Sequence, residues 1–135
     1  MEKNAKTGFT LIELTVVLAI LAVLAAILVP TFLVSSDRAR LRGDVQTARI
    51  IENAIALHRV ELGRMPPGNT TQAIIDSLVD AGYLPRGNVK PQTQHASWDW
   101  CQSNGLRVDI RQAQEGVRDA LKNLTDEEKM YVLAN

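Results

Sequence analysis

One cysteine, Cys101, stands in the 135 residues, so no disulfide can close within a single chain. There are two histidines, His58 and His95, on different predicted elements, and no cluster has zinc-ligand spacing. No glycine-rich loop is set to cradle phosphate, and Ser35, Ser36, Ser77, Ser97 and Ser103 have no triad-like setting. No sign of charge dominates, since fifteen Lys and Arg face fifteen Asp and Glu. That balance removes the electrostatic footprint of a nucleic-acid binder and argues against a polybasic lipid-surface anchor. The acidic run Asp126-Glu127-Glu128 suits a helix start better than a calcium loop. These absences argue against an enzyme, and neither cofactor nor metal is expected. The length allows one small domain at most, and a head built from its C-terminal half buries only a limited core.

What the sequence does hold is one long apolar run. From Leu14 to Val29 the only polar residue is Thr15, and Thr31–Val34 extends the run if Pro30 is bridged. A helix of about twenty residues spans about 30 Å of hydrocarbon. Glu13 opens this run. An acid at the edge of a lipid-facing helix is costly to keep, so it is a functional-site candidate that needs a partner. An ordinary secretory signal would use Ala22, Ala25 and Ala26 for cleavage, but Glu13 would then sit in its apolar region and the run continues past those alanines. A bare membrane anchor explains the run and leaves Glu13 unexplained. Lys3 and Lys6 precede the run and should stay cytoplasmic, which places the C-terminal part outside.

Gly8-Phe9-Thr10-Leu11-Ile12-Glu13, between a short charged leader and an apolar helix, resembles the class III signal of the type IV pilin family. That family includes pilus subunits and the pseudopilins of type II secretion and of competence systems. The resemblance covers residues 1 to about 62. It implies a leader at residues 1–8, cut by a membrane prepilin peptidase between Gly8 and Phe9, with methylation of the new Phe9 amine. It implies that Glu13 neutralises that amine, in its own subunit or in a neighbour. It also implies that the helix can unwind locally at Pro30 in a filament. The expected partners are further copies of the chain in a helical filament, the peptidase, an inner-membrane assembly platform with its ATPase, and membrane lipid before assembly. No nucleic acid is expected. The expected function is a structural subunit of a type IV pilus or type II secretion pseudopilus. The alternatives are a low-abundance tip or initiation subunit and a competence, DNA-uptake subunit. A membrane-anchored binding domain or enzyme would instead require a pocket in residues 63–135. Many pilins staple a C-terminal loop with a disulfide, and a single cysteine departs from that pattern.

The fold class expected is α+β. One helix over about 9–62 has a transmembrane half, 9–34, and an amphipathic half, 35–62, with Pro30 predicting a kink or break. In the second half Leu41, Val45, Ala48, Ile51, Ile55 and Leu62 form an apolar stripe, and His58 fills its gap. Arg38, Arg40 and Arg42 form a solvated face or pair with acids of a neighbouring subunit. Gly63 ends the helix and Pro66-Pro67-Gly68 forbids its resumption. The head, 63–135, should start with a helix over about Thr71–Ala81. Its caps are Asn69 or Thr70, with Gln72 in its first turn, and Ala73, Ile74, Leu78 and Ala81 are buried. Gly63-Arg64-Met65-Pro66 followed by Gly82-Tyr83-Leu84-Pro85 loosely resembles the same region of major pseudopilins. Residues 85–95 read as a loop. Trp98–Cys101 and Leu106–Ile110 read as an antiparallel hairpin turned at Ser103-Asn104-Gly105. Gln112–Leu124 has helical spacing, and Thr125-Asp126-Glu127-Glu128 opens a last helix to about Leu133. Tyr83, Trp98 and Trp100 should belong to the core, with Cys101 half-buried beside Trp100.

Overall fold

The computed structural model describes residues 9–87 and 89–134, and of Pro30 the backbone alone. Gly8, and with it one side of the expected cleavage point, lies outside the described residues. The chain divides into two units, Met1–Leu33 and Val34–Asn135.

Helix α1 runs from Leu11 to Leu62. It passes through Pro30 without interruption, so no break lies there. Proline removes one helical hydrogen bond, and the Thr31 hydroxyl donates to the Ile27 carbonyl at 3.3 Å in the same turn. In the first unit every described side chain is exposed, including Leu18, Leu21, Leu28 and Phe32. This is the one helix among the described residues that is long and apolar enough to cross a membrane. Its polar hydroxyls are satisfied within the helix, since Thr15 donates to the Ile12 carbonyl at 2.9 Å.

In the second unit, α1 presents Leu41, Val45, Ala48, Ile51 and Ile55 to the core, all at 3% exposure or less. The 3–4-residue spacing puts them on one face. Leu62, expected on this stripe, is instead half exposed at 51%. The chain turns away at Gly63, in left-handed backbone at φ 66°, and the last helical turn is left uncovered.

Helix α2, Thr71–Asp80, is capped by Thr70, whose hydroxyl accepts the Ala73 N–H at 3.2 Å. Gln72 takes no part in the cap and donates to Asp76 at 2.8 Å. Its buried face is Ile74, Ile75 and Leu78. Ala81, expected in the core, is the exposed C-cap.

The hairpin forms as strands β1, Ser97–Cys101, and β2, Gly105–Asp109, with Trp98 opposite Val108 and Cys101 opposite Gly105. Strand alternation gives Trp98 the inner face at 9% exposure. Tyr83 and Trp100 pack against the core from half-buried positions. The same alternation sends Cys101 outward, so the thiol is exposed rather than half-buried.

Helix α3 covers Glu115–Lys122, shorter than the spacing predicts. Residues 111–113 form a turn, closed by the Ala113 N–H on the Ile110 carbonyl at 2.9 Å, which still buries Ala113. Helix α4 is a single turn, Asp126–Lys129, and does not reach Leu133. Val132–Leu133 instead form β3, parallel to β2, so the sheet is three-stranded and mixed in the order β1-β2-β3. The Val108 N–H donates to the Tyr131 carbonyl at 2.8 Å, and the Ile110 N–H to the Leu133 carbonyl at 2.9 Å. Two such bonds contribute about 1 kcal/mol each, and burying Val132 adds about 1.5–3 kcal/mol. Helix propensity offers a few tenths per residue, so the strand wins.

Candidate processing and assembly site

Thr10 and Glu13 form a reciprocal cap at the start of α1. The Thr10 N–H donates to Glu13 Oε2 at 2.9 Å, the Thr10 hydroxyl donates to the same oxygen at 2.7 Å, and the Glu13 N–H reaches the Thr10 hydroxyl oxygen at 3.3 Å. This is a capping box, which satisfies backbone donors that a helix start leaves orphaned. The carboxylate also meets the positive end of the helix dipole. Both carboxylate bonds fall on Oε2. Among the described residues no hydrogen bond falls on Oε1, so one oxygen stays open to a further cation. Phe9 is 77% exposed. Phe9, Ile12, Glu13, Val16 and Val17 line one shallow depression. Sequence reasoning found Phe9 and Glu13 and missed the role of Thr10, although Thr followed three residues later by Glu was the available signal. Pro30 lies seventeen residues further along the same helix and is not brought to this place.

The head has polar anchors of its own. Asp44 is 1% exposed, and its carboxylate accepts the N–H groups of Gln92 and Thr93. Glu52 accepts the Leu106 N–H at 2.8 Å, at the start of β2. His58 is buried with Nδ1 3.1 Å from the Arg64 carbonyl, so Nδ1 carries the proton and donates. Its ring meets Tyr83 edge-on at 5.3 Å, and the Tyr83 hydroxyl donates to Glu61 at 2.6 Å. That bond to a carboxylate pushes the Tyr83 phenol up. Trp98 donates its indole N–H to the Val89 carbonyl at 2.9 Å. Asp44, Glu52, His58 and Trp98 each tie loop or strand backbone to another element, while Tyr83 is tied to α1 side chain to side chain. Their use is packing, and no cluster of three potential metal ligands occurs among the described residues.

The C-terminal segment is clasped to α1 by charge. Arg49 pairs with Glu127 at 3.0 Å and lies over the Tyr131 ring at 5.1 Å. Arg42 pairs with Glu128 at 3.6 Å and donates to the Asn123 carbonyl. Two of the chain's basic residues on α1 thus have partners within the subunit. Cys101 Sγ lies 3.1 Å from the Ser103 hydroxyl, and that contact holds the thiol below its ordinary value.

A small α+β head on a long helix, whose apolar half opens on a capped acid, defines a pilin-like subunit. A family model described as the prokaryotic N-terminal methylation motif matches residues 3–29. The type II secretion system core protein G of Aeromonas hydrophila is 34% identical over 99 residues, covering 64% of this chain and 67% of that protein. The chain belongs to the type IV pilin and type II secretion pseudopilin family. Core protein G of Escherichia coli is 35% identical over 82 residues, 61% of this chain and 54% of that protein. Prepilin peptidase-dependent protein A of Clostridium perfringens is 43% identical over 56 residues, 42% of this chain and 40% of that protein. The chain thus spans between two fifths and two thirds of the length of these relatives. No solved structure matches it.

Proposed function

We propose that this chain is a precursor cut by a prepilin peptidase between Gly8 and Phe9 and methylated on Phe9, and that it then polymerises through α1 into a type II secretion pseudopilus. The carrying observation is the hexad Gly8–Glu13 placed directly before an apolar helix half whose described side chains are all exposed. A bare helix of that kind needs either lipid or copies of itself around it. Before assembly the subunit waits in the inner membrane, crossing once, with its N-terminus cytoplasmic and its head outside. An assembly platform and its ATPase then lift it into the base of the filament. The work is mechanical and turns over no substrate.

In the proposed filament core, lipid is exchanged for protein, and an unpaired carboxylate would be penalised. Thr10 occupies one oxygen of Glu13 and leaves Oε1 open for the amine of a neighbouring Phe9. That pair would set the axial register. Pro30, which has no N–H to donate, is the place where α1 would unwind if the assembled helices require it. The secretion machine is preferred over a surface pilus because core protein G recurs among the relatives.

The test is electron microscopy of sheared cells and of periplasm, with and without the chain, beside a gel that resolves precursor from mature protein. Short fibres that depend on the chain, and a mature band lacking the leader, are expected. A leader retained in the finished protein would falsify the processing step, and absence of fibres from an overexpressing strain would remove the filament.

A further inference from the structure

From Ala81 to Trp98 the chain carries no acid, and Arg86, Lys90 and His95 fall within that stretch. Residues 90–98, with Gln72 of α2, line a cleft of about 510 Å³. Small-molecule sites run from about 300 to about 1,000 Å³. The loop that walls the cleft is tied down. Asp44 accepts the N–H groups of Gln92 and Thr93, and Val89 holds the Trp98 indole. The Ala96 N–H closes a turn on the Thr93 carbonyl at 3.2 Å. Within that turn His95 takes left-handed backbone at φ 60°, a conformation that is costly with a Cβ and gathers at ligand-holding loops. A wall already ordered loses little freedom on binding.

The lining has one sign of charge and many neutral partners. Lys90 is exposed, and no carboxylate of the described residues pairs with it or lines the cleft. Gln72, Gln94, His95 and Ser97 add polar groups that can both donate and accept. Gln72 gives one N–H to Asp76 and keeps its carbonyl oxygen. Thr93 is 4% exposed, and its hydroxyl is buried with no hydrogen-bond partner among the described residues. Buried hydroxyls are nearly always partnered, so an orphan calls for a ligand or a water to complete it.

A bare phosphate would leave most of these groups unused and most of the volume empty. A nucleotide would bring several charges to a single lysine. The complement of this lining is a ligand with one negative charge and several hydroxyls. We propose that the cleft binds a sugar acid, with its carboxylate on Lys90 and its hydroxyls on Gln72, Gln94, Ser97 and Thr93. The site lies wholly within the second unit and does not depend on the filament reading.

The test is calorimetric titration of the full chain in detergent micelles with glucuronate and then galacturonate, beside glucose and acetate. One uronate at least should bind about tenfold or more tightly than glucose or acetate, since neither control offers both the charge and the hydroxyls. Lys90→Gln should weaken that binding about tenfold or more. Thr93→Val should weaken it about threefold or more and leave the melting temperature of the free chain unchanged or higher, because a methyl replaces an unpartnered buried hydroxyl. Arg86→Gln, outside the cleft, should leave affinity within about twofold. No saturable binding of either uronate overturns the proposal, and so does equally tight binding of glucose or acetate. Unchanged affinity in either Lys90→Gln or Thr93→Val overturns it as well. A loss in Arg86→Gln as large as in Lys90→Gln would place the ligand elsewhere on the loop, and the cleft would lose its assignment.

Discussion

Asp44 Oδ2 accepts the backbone N–H of Thr93 at 2.8 Å, and its other oxygen takes the N–H of Gln92 at 2.7 Å. One buried carboxylate of α1 therefore fixes the loop before β1. Asp44→Ala should strand both donors, at about 1–3 kcal/mol for each unsatisfied group. Asp44→Asn keeps an acceptor and should cost less. Thermal melts of the two variants, with amide exchange at Gln92 and Thr93, measure the difference. Equal stability of wild type and Asp44→Ala would show that the loop is held by something else.

Glu13→Ala should leave a folded, membrane-inserted subunit, because residue 13 is not among the buried core residues. Its assembly should fail or become uneven, because the open carboxylate oxygen is gone. Fibre yield against membrane-monomer level separates the two effects. A normal yield speaks against pairing with a neighbouring amine.

A bulky or charged replacement of Gly8 should block cleavage and leave the precursor in the membrane. The check is a single gel comparing its mobility with that of the unaltered protein. A band of mature size from such a variant refutes the assignment of the cut site.

Gly105 sits in left-handed backbone at φ 75°, and a Cβ there would run into the Glu52 carboxylate. Gly105→Ala should destabilise the head by about 1–3 kcal/mol, combining backbone strain with a displaced hydrogen bond to Leu106. The loss should be less than additive when Glu52→Ala is added, since the collision is then removed. A double-mutant cycle by denaturant unfolding gives that coupling, and strict additivity would deny the contact.

The Thr125 backbone N–H, the Thr125 hydroxyl and the nearby Arg42 and Arg49 hold the Glu128 carboxyl below its ordinary 4.5. A carboxyl lowered on folding stabilises fully above the unfolded value and loses that contribution as pH falls through the lowered folded value. The C-terminal clasp should thus loosen below about pH 4.5. Amide exchange at Thr125 and Tyr131 across acidic pH should rise in wild type. It should be raised already at neutral pH in Glu128→Gln. A flat profile in wild type would remove the carboxylate from the account.

Much of the fold was legible because its signals are local. Thr125 and Glu128 are three residues apart, and the cap they announce is the one that forms. Gly105 closes the hairpin, and the stripe from Leu41 to Ile55 is buried as its spacing requires. The helix predicted to Leu133 failed for a physical reason: the edge of β2 needed a partner, and no short-range pattern records that need. Asp44 carries no short-range signal of its role, because its two donors lie about fifty residues away.

By itself the sequence determined the hexad, the acid at its end, the apolar run after it and the placement of caps and turns. All of these act through neighbours within a turn of helix or a hairpin. Only the tertiary structure decided that Val132–Leu133 would be strand, that Asp44 and Glu52 would hold distant backbone, that Cys101 would face water and that Ile50 would be left uncovered. Those outcomes depend on which donors and apolar faces the packed elements leave unmet, and that is settled only when remote segments arrive together.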